Sequence, residues 1–299
     1  MVSRKSHLLV EVDDFRVSLA GAQEKTALLW YENQWQLPLG TTPTSHILKL
    51  PIGLIHYNQI DLAESARNEW LCLRLCQAFG LSVPNAQLVQ VEDLSVLAVE
   101  RFDRRWSSDQ SWLMRLPQED MCQALGYSPA LKYEAEGGPS IAAIMRLLLG
   151  SQQASEDRSL FLRAQMVYWL LAASDGHAKN FSIFLEAGNR YRLTPFYDVL
   201  SLYPLMGKGI APQKVRMAMA LQGKNRHYHW SKIMPRHFIS TAEYCGFSNE
   251  IVQSLLEKIL THAEKVVMTV ADELDADFPA HISEPIFSGI LNLAQRYRD

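Results

Sequence analysis

The sequence predicts an α+β fold in two lobes, strand-rich in front and mostly helical behind. Short alternating apolar runs occupy the chain up to about Arg105, and helical periods occupy most of the remainder. No internal repeat and no low-complexity linker breaks the chain into further units. The division falls at residues 1–105 and 106–299, with the joint near Glu100–Phe102.

In the front part LLVEV and FRVSL alternate, TALLWY is apolar and bounded by turns, and SHILKLP ends on a proline. DLAESARNEWLCLRLCQAFG reads as a helix, with Asp61 as its N-cap and Gly80 as its stop. AQLVQV and SVLAVERF form a further strand pair. Beyond Arg105, IAAIMRLLLG, SLFLRAQMVYWLLAA and EIVQSLLEKILTHAEKVVMTVADEL carry helical spacing. FSIFLE, AGN and RYRLTP then read as strand, turn and returning strand.

Composition narrows the function by exclusion. The chain has 299 residues, 48% hydrophobic and 20% charged, with a net charge of −3. Nothing in that balance points to nucleic acid or an anionic membrane as the main partner. The four cysteines make no disulfide framework. Cys72 and Cys76 sit four apart on the predicted helix, where buried thiols are the commoner outcome than a metal pair. No run approaches the ~20 apolar residues of a membrane span, and the N-terminus has no signal-peptide core, so a reducing cytoplasm is expected.

The stretch that points to chemistry is SDGHAKNF, directly after the apolar MVYWLLAA. Polar side chains at the mouth of a core are costly unless they bind something. Asp175 and Asn180 precede the predicted hairpin, and Asp198 comes at once after it. Phosphoryl transfer from ATP uses these parts: one carboxylate orients the attacking hydroxyl, while an amide and a second carboxylate hold Mg²⁺ on the phosphates. Asp-x4-Asn alone also occurs in helix ends tidied by turn formers. The hairpin and Asp198 favour the chemical reading.

The front half offers partners. Lys49, inside the strand pattern HILKL, needs an anion. At about 100° per residue, Glu69 falls among Leu62, Ala66, Leu73 and Cys76, an acid inside an apolar stripe. A Lys49–Glu69 pair answers both anomalies; the alternative is that Glu69 lies at the edge of the stripe and reaches solvent. SLAGAQEKT joins two strands through Gly21 and is not a Walker A loop.

Taken together, SLAGAQEKT, TTPTSHILKLPIG, LAVERFDRRW, RLPQEDMCQALG, KYEAEGGP, SDGHAKNF and RLTPFYD resemble the kinase core of the HipA family. These are serine/threonine-kinase toxins of bacterial toxin–antitoxin pairs, and the resemblance runs from about Phe15 to Asp198, more weakly to the end. It implies a protein-kinase-like fold and a loop over the ATP phosphates at Ala20, Gly21, Ala22, Gln23, Glu24 and Lys25. It implies phosphate binding by Lys49 and an adenine hinge at Glu100, Arg101 and Phe102. Asp175 matches the catalytic aspartate, and His177, Ala178, Lys179 and Asn180 match the ATP- and metal-facing loop. Tyr197 and Asp198 match the second metal site, and Ser18 matches an autophosphorylated serine whose modification ejects the loop. The implied partners are a HipB-like antitoxin, DNA through that antitoxin, and an aminoacyl-tRNA synthetase as substrate, notably the glutamyl enzyme. HipA-type proteins carry a small subdomain before the core, whereas the matching phrases here begin near Phe15. A separate small protein, or another copy of this chain, docking on residues 1–105 is therefore expected.

Two other readings stand beside a protein kinase. Val199 to Ala242 holds no Asp or Glu but has Lys208, Lys214, Arg216, Lys224, Arg226, Lys232 and Arg236. That fits either a phosphate-backbone stripe in a co-repressor or, more commonly, a solvated basic face. A small-molecule kinase is the rival within enzymes, since Asp-x-His-x-x-Asn occurs there too.

Overall fold

A computed structural model describes residues 23–55 and 60–298. The strands expected over LLVEV and FRVSL lie outside these residues, as do Ser18, Ala20, Gly21 and Ala22.

The front part is a five-stranded antiparallel sheet. Its strands are β1 (Lys25–Tyr31), β2 (Gln34–Gln36) and β3 (His46–Lys49). A small hairpin of β4 (Gly53–Ile55) and β5 (Ile60–Leu62) leads into helix α1 (Ser65–Ala78). The sheet is completed by β6 (Ala86–Val91) and β7 (Leu94–Glu100), in the order β2-β1-β3-β7-β6. Glu32 and Asn33 both have positive φ, 50° and 59°, as the tight turn between β1 and β2 requires. β7 carries four buried residues in succession, Val96 to Val99, because both of its faces are covered. Ala66 and Trp70 of α1 pack on Leu97 and Val99, while Leu28, Trp35 and Val89 pack with Val96 and Ala98 on the other face.

Asp61 does not cap α1. It lies in β5, where its carboxylate accepts a hydrogen bond from the Ala63 N–H at 2.9 Å. The helix begins at Ser65 after Glu64, without a side-chain cap. Ile60, Asp61 and Leu62 alternate buried, exposed, buried. Leu62 also fits the helical period, and that coincidence hid the strand. Gly80 ends the helix as expected, with φ +80°.

The back part opens with a hairpin, β8 (Arg104–Trp106) and β9 (Leu113–Arg115), so the expected division at Arg105 falls inside a strand. Next come β10 (Gln118–Asp120), the short α2 (Met121–Ala124), α3 (Ile141–Leu147) and α4 (Ala154–Leu170). The predicted hairpin is β11 (Ser182–Glu186) with β12 (Arg190–Leu193), and β10 adds to it as a third antiparallel strand. A second hairpin, β13 (Arg216–Leu221) and β14 (His227–His229), precedes α5 (Pro235–Tyr244), α6 (Asn249–Ala271) and α7 (Ala280–Arg296). α4 is the axis of this part: Phe161, Leu162, Ala164 and every residue from Met166 to Leu170 are at most 2% exposed. Its end, Met166–Leu170, is apolar on every face, and such a stretch belongs in a core. α1 packs on β6 and β7 with one side and on α6 and α7 with another. That is why Leu71, Cys72, Leu75 and Cys76 are all fully buried, with both thiols free.

Candidate active site

The polar stretch after α4 is held from several directions. The Ser174 carbonyl accepts from the Ala218 N–H of β13 at 2.9 Å, and the Ala178 N–H donates to the Lys132 carbonyl at 3.2 Å. The Asp175 carbonyl accepts from the His177 N–H at 2.8 Å and from Asn180 Nδ2 at 2.8 Å. Asn180, 4% exposed, thus has its amide nitrogen engaged and its Oδ1 left as the atom it can offer. Gly176 is required by close approach, since a Cβ there would lie 2.7 Å from the Tyr168 ring.

Across from this loop, β3 and α1 supply charge. Lys49 Nζ donates to Glu69 Oε1 at 2.6 Å and also contacts Asp198 Oδ1. Lys49 and Glu69 are 6% and 4% exposed, so the acid in the apolar stripe reaches the strand lysine and not solvent. Asp198 has φ +58°, a strained conformation for a non-glycine residue, and it aims the carboxylate at β3. Two carboxylates thus share one ammonium. Burial works against the Lys49 charge, but Glu69 and Asp198 together outweigh it and raise its pKa. Burial pushes Glu69 up to about 7 against the pull of Lys49. Asp198 is also pushed up by burial, but Lys49 more than reverses this and holds it below the usual range. Glu69 is therefore the first of the two to take a proton.

Gln23, Lys25, Ile52, Glu69, Asp175, Asn180, Asp198 and Leu200 line the cleft between these groups. Gln23 Nε2 donates to the Leu50 carbonyl at 2.9 Å and the Leu50 N–H to the Glu24 carbonyl at 3.0 Å, which extends the β1–β3 ladder to the loop. Lys25 stands opposite Lys49 in register. At the hinge, Glu100 is exposed and the Arg101 N–H donates to the Ser45 carbonyl at 2.9 Å. Arg101 and Arg104 both grip the buried Asp103. Phe102 packs on Tyr197, ring centroids 5.4 Å apart, and the Tyr197 hydroxyl donates to the Lys179 carbonyl at 3.1 Å.

Not every residue of the polar stretch faces the cleft. Lys179 Nζ is turned to Asp120 at 2.6 Å. Ala178 and His177 are wholly buried, and neither ring nitrogen of His177 has a hydrogen-bond partner among the described residues. Burial, with the nearby Lys132 charge adding to it, pushes His177 down to about 4, so the ring is neutral at pH 7. Sequence reasoning missed Tyr133, whose hydroxyl donates to Asp175 Oδ1 at 2.5 Å. The only signal was that KYEAEGGP stood out as a phrase. Among the described residues there is no group of three or more His, Cys, Asp or Glu that could hold a metal. A groove of about 830 Å³ between β1 and the β8–β9 hairpin is lined by none of the predicted site residues. In the basic stretch Arg226 pairs with Glu134 at 3.5 Å, Arg216 packs over Tyr228, and Lys208, Lys214, Lys224, Lys232 and Arg236 are exposed.

Residues 17–267 match the model of the HipA-like C-terminal domain. The chain belongs to that family. It is 29% identical over 283 residues to the serine/threonine-protein kinase toxin HipA of Shewanella oneidensis, covering 89% of this chain and 61% of that protein. It is 35% identical to the Sinorhizobium fredii protein Y4mE over 195 residues, 65% of this chain and 44% of the relative. The chain therefore spans roughly half of the curated relatives it matches. The HipA chain in the Shewanella oneidensis complex of HipA, HipB and operator DNA superposes with a TM-score of 0.79 at 23% identity, over 96% of this chain and 66% of that one. The Helicobacter pylori proinflammatory kinase CtkA gives 0.58 at 12% identity, over 91% and 90%. Both likenesses concern the fold, which is kinase-like, with a strand-rich lobe and a helical lobe as expected.

Proposed function

We propose that this HipA-like domain is a serine/threonine protein kinase that moves the γ-phosphate of ATP to a protein hydroxyl. The observation that carries the reading is Lys49 held between Glu69 and Asp198, facing Asp175 and Asn180 across one cleft. Asp175 would orient the acceptor hydroxyl, and Lys49 would meet the phosphates. Lys49 and Asp198 are in contact here, so phosphate entry requires them to part, with phosphate oxygens replacing Asp198 as the anion on Lys49. Asn180 Oδ1 and the Asp198 carboxylate fit Mg²⁺, a hard cation that takes one or two protein oxygens and completes its shell with phosphates and water. When bound there, it would neutralise charge on the phosphates. Phe102, resting on Tyr197, would form the adenine end, with Glu100 and Arg101 beside it. Gln23, Glu24 and Lys25 would close the phosphate-covering loop that starts with Ala20, Gly21 and Ala22.

The finer reading is that of a toxin kept in check by a HipB-like antitoxin and contacting DNA through it. An aminoacyl-tRNA synthetase is its substrate, and Ser18 is a site of self-modification. Membership of the family and the descriptions of the relatives support the toxin and its antitoxin, while the synthetase and Ser18 rest on the sequence resemblance alone. Incubating the protein with γ-labelled ATP, alone and with cell lysate, tests the class. Label in protein bands supports the reading, and label only in small molecules rejects it for a small-molecule kinase.

A further inference from the structure

The loop carrying KYEAEGGP holds none of the groups assigned to nucleotide, metal or acceptor, yet it reaches Asp175, which lines the cleft. Tyr133, 5% exposed, donates its hydroxyl to Asp175 Oδ1 at 2.5 Å and sets its ring edge-on to His177, with centroids 5.2 Å apart. The loop is pinned on both sides of that contact. The Gly138 N–H returns to the Tyr133 carbonyl at 2.9 Å, and a Cβ on Gly138 would sit 2.2 Å from the Leu131 carbonyl oxygen. The next residue, Glu134, accepts from the Ala220 N–H of β13 at 2.7 Å. Two residues earlier on that strand, the Ala218 N–H holds the Ser174 carbonyl. One strand therefore anchors the residue after Tyr133 and the residue before Asp175.

A phenol has one proton to donate. Giving it to Oδ1 restrains rotation of the carboxylate. We propose that Tyr133 is a positioning residue for phosphoryl transfer, holding the Asp175 carboxylate in the orientation that receives the acceptor's proton. This rests on the kinase reading of the cleft. Positioning supplies much of the catalysis in this chemistry, so a small loss of alignment is expensive.

Tyr133→Phe keeps the ring and its packing on His177 and removes one oxygen. It should lower kcat roughly 10- to 100-fold, the range for losing one hydrogen bond to a charged group. The KM for ATP and nucleotide affinity should stay within about twofold, because the hydroxyl that is removed is bonded to Asp175 and not to Lys49, Asn180 or Asp198. The acid limb of the kcat–pH profile should move to higher pH, since a carboxylate deprived of a donor holds its proton more tightly. The ¹³C titration of the Asp175 carboxyl, assigned with Asp175→Asn, should move the same way and does not depend on turnover. A purely structural tyrosine would change melting temperature and leave both pH readouts in place. Native kcat and an unmoved titration in Tyr133→Phe overturn the proposal while leaving the kinase reading intact. Phosphate found on Tyr133 after incubation of the wild type with ATP also overturns it, because the hydroxyl would then be an acceptor. No transfer by the wild type to any protein overturns the kinase reading and the proposal with it.

Discussion

Asn68 of α1 and Ser201, three residues beyond Asp198, exchange two buried hydrogen bonds: Asn68 Nδ2 donates to the Ser201 carbonyl at 2.8 Å, and the Ser201 N–H donates to Asn68 Oδ1 at 2.9 Å. The helix that supplies Glu69 is thereby fastened to the loop that supplies Asp198. Asn68→Ala would strand two buried backbone groups, each costing about 1–3 kcal/mol. A loss of roughly 2–4 kcal/mol on denaturant unfolding is expected, together with weaker Mg²⁺-dependent nucleotide binding. Unchanged stability would show that the pair is not formed.

Lys49→Met would leave Glu69 and Asp198 facing each other without a cation. Removing one member of a buried pair costs about 3–5 kcal/mol, less here because Asp198 is partly exposed and Glu69 can take a proton. The destabilisation should be smaller at pH 6 than at pH 8. Adding Glu69→Leu should restore stability without restoring nucleotide binding, which separates the structural use of Lys49 from its chemical one. Calorimetric unfolding and nucleotide titration of the two variants check this.

Acid should destabilise the protein through two histidines. His177 and His237 are both pushed down to about 4, the first by burial and then Lys132, the second by burial and then His227. Below the ordinary histidine value of 6.5 the unfolded chain binds protons that the folded chain refuses, so stability present above pH 6.5 is lost as pH falls toward 4. Glu69 acts in the opposite sense, because its folded pKa of about 7 exceeds the ordinary glutamate value of 4.5. Its contribution is present below 4.5 and lost as pH rises to about 7. Two groups outweigh one, and the melting temperature should fall from pH 6.5 to pH 4.5. Glu69→Gln should steepen that fall. A flat profile would contradict the burial of the two rings.

Much of the fold and site was legible in the sequence where period and chemistry conflicted. Glu69 stood out because an acid interrupted an apolar stripe, and its partner was a lysine inside the strand pattern HILKL. FSIFLE and RYRLTP announced a hairpin by alternation around a turn, which placed Asp198 beside Asp175. Contacts made by irregular loops were not legible, since a loop has no period to read. Tyr133 on Asp175 and Asn68 on Ser201 both depend on tertiary placement across 42 and 133 residues. The burial of His177 was hidden because a histidine in a polar stretch reads as a surface group. Lys179 read as facing nucleotide, but Asp120, on a strand the sequence did not mark, draws it away.

Ser18 should acquire phosphate when the purified protein is incubated with ATP and Mg²⁺. A phosphate there adds roughly −1.5 to −2 charges beside the loop proposed to cover the ATP phosphates, and nucleotide affinity should drop. Ser18→Ala should stay competent in transfer. Peptide mapping that finds Ser18 unmodified, or modified protein that binds ATP undiminished, would reject the switch.

The central claim is that Asp175 serves the acceptor hydroxyl and Asp198 the metal-bound phosphates. Side-by-side measurement of nucleotide affinity and γ-phosphate transfer in the wild type, Asp175→Ala and Asp198→Ala tests it most directly. Asp175→Ala should bind ATP as the wild type does and lose transfer by about 10³-fold or more, while Asp198→Ala should lose the Mg²⁺-dependent part of nucleotide binding. An Asp175→Ala protein with near-native turnover, or an Asp198→Ala protein indifferent to magnesium, would contradict the account.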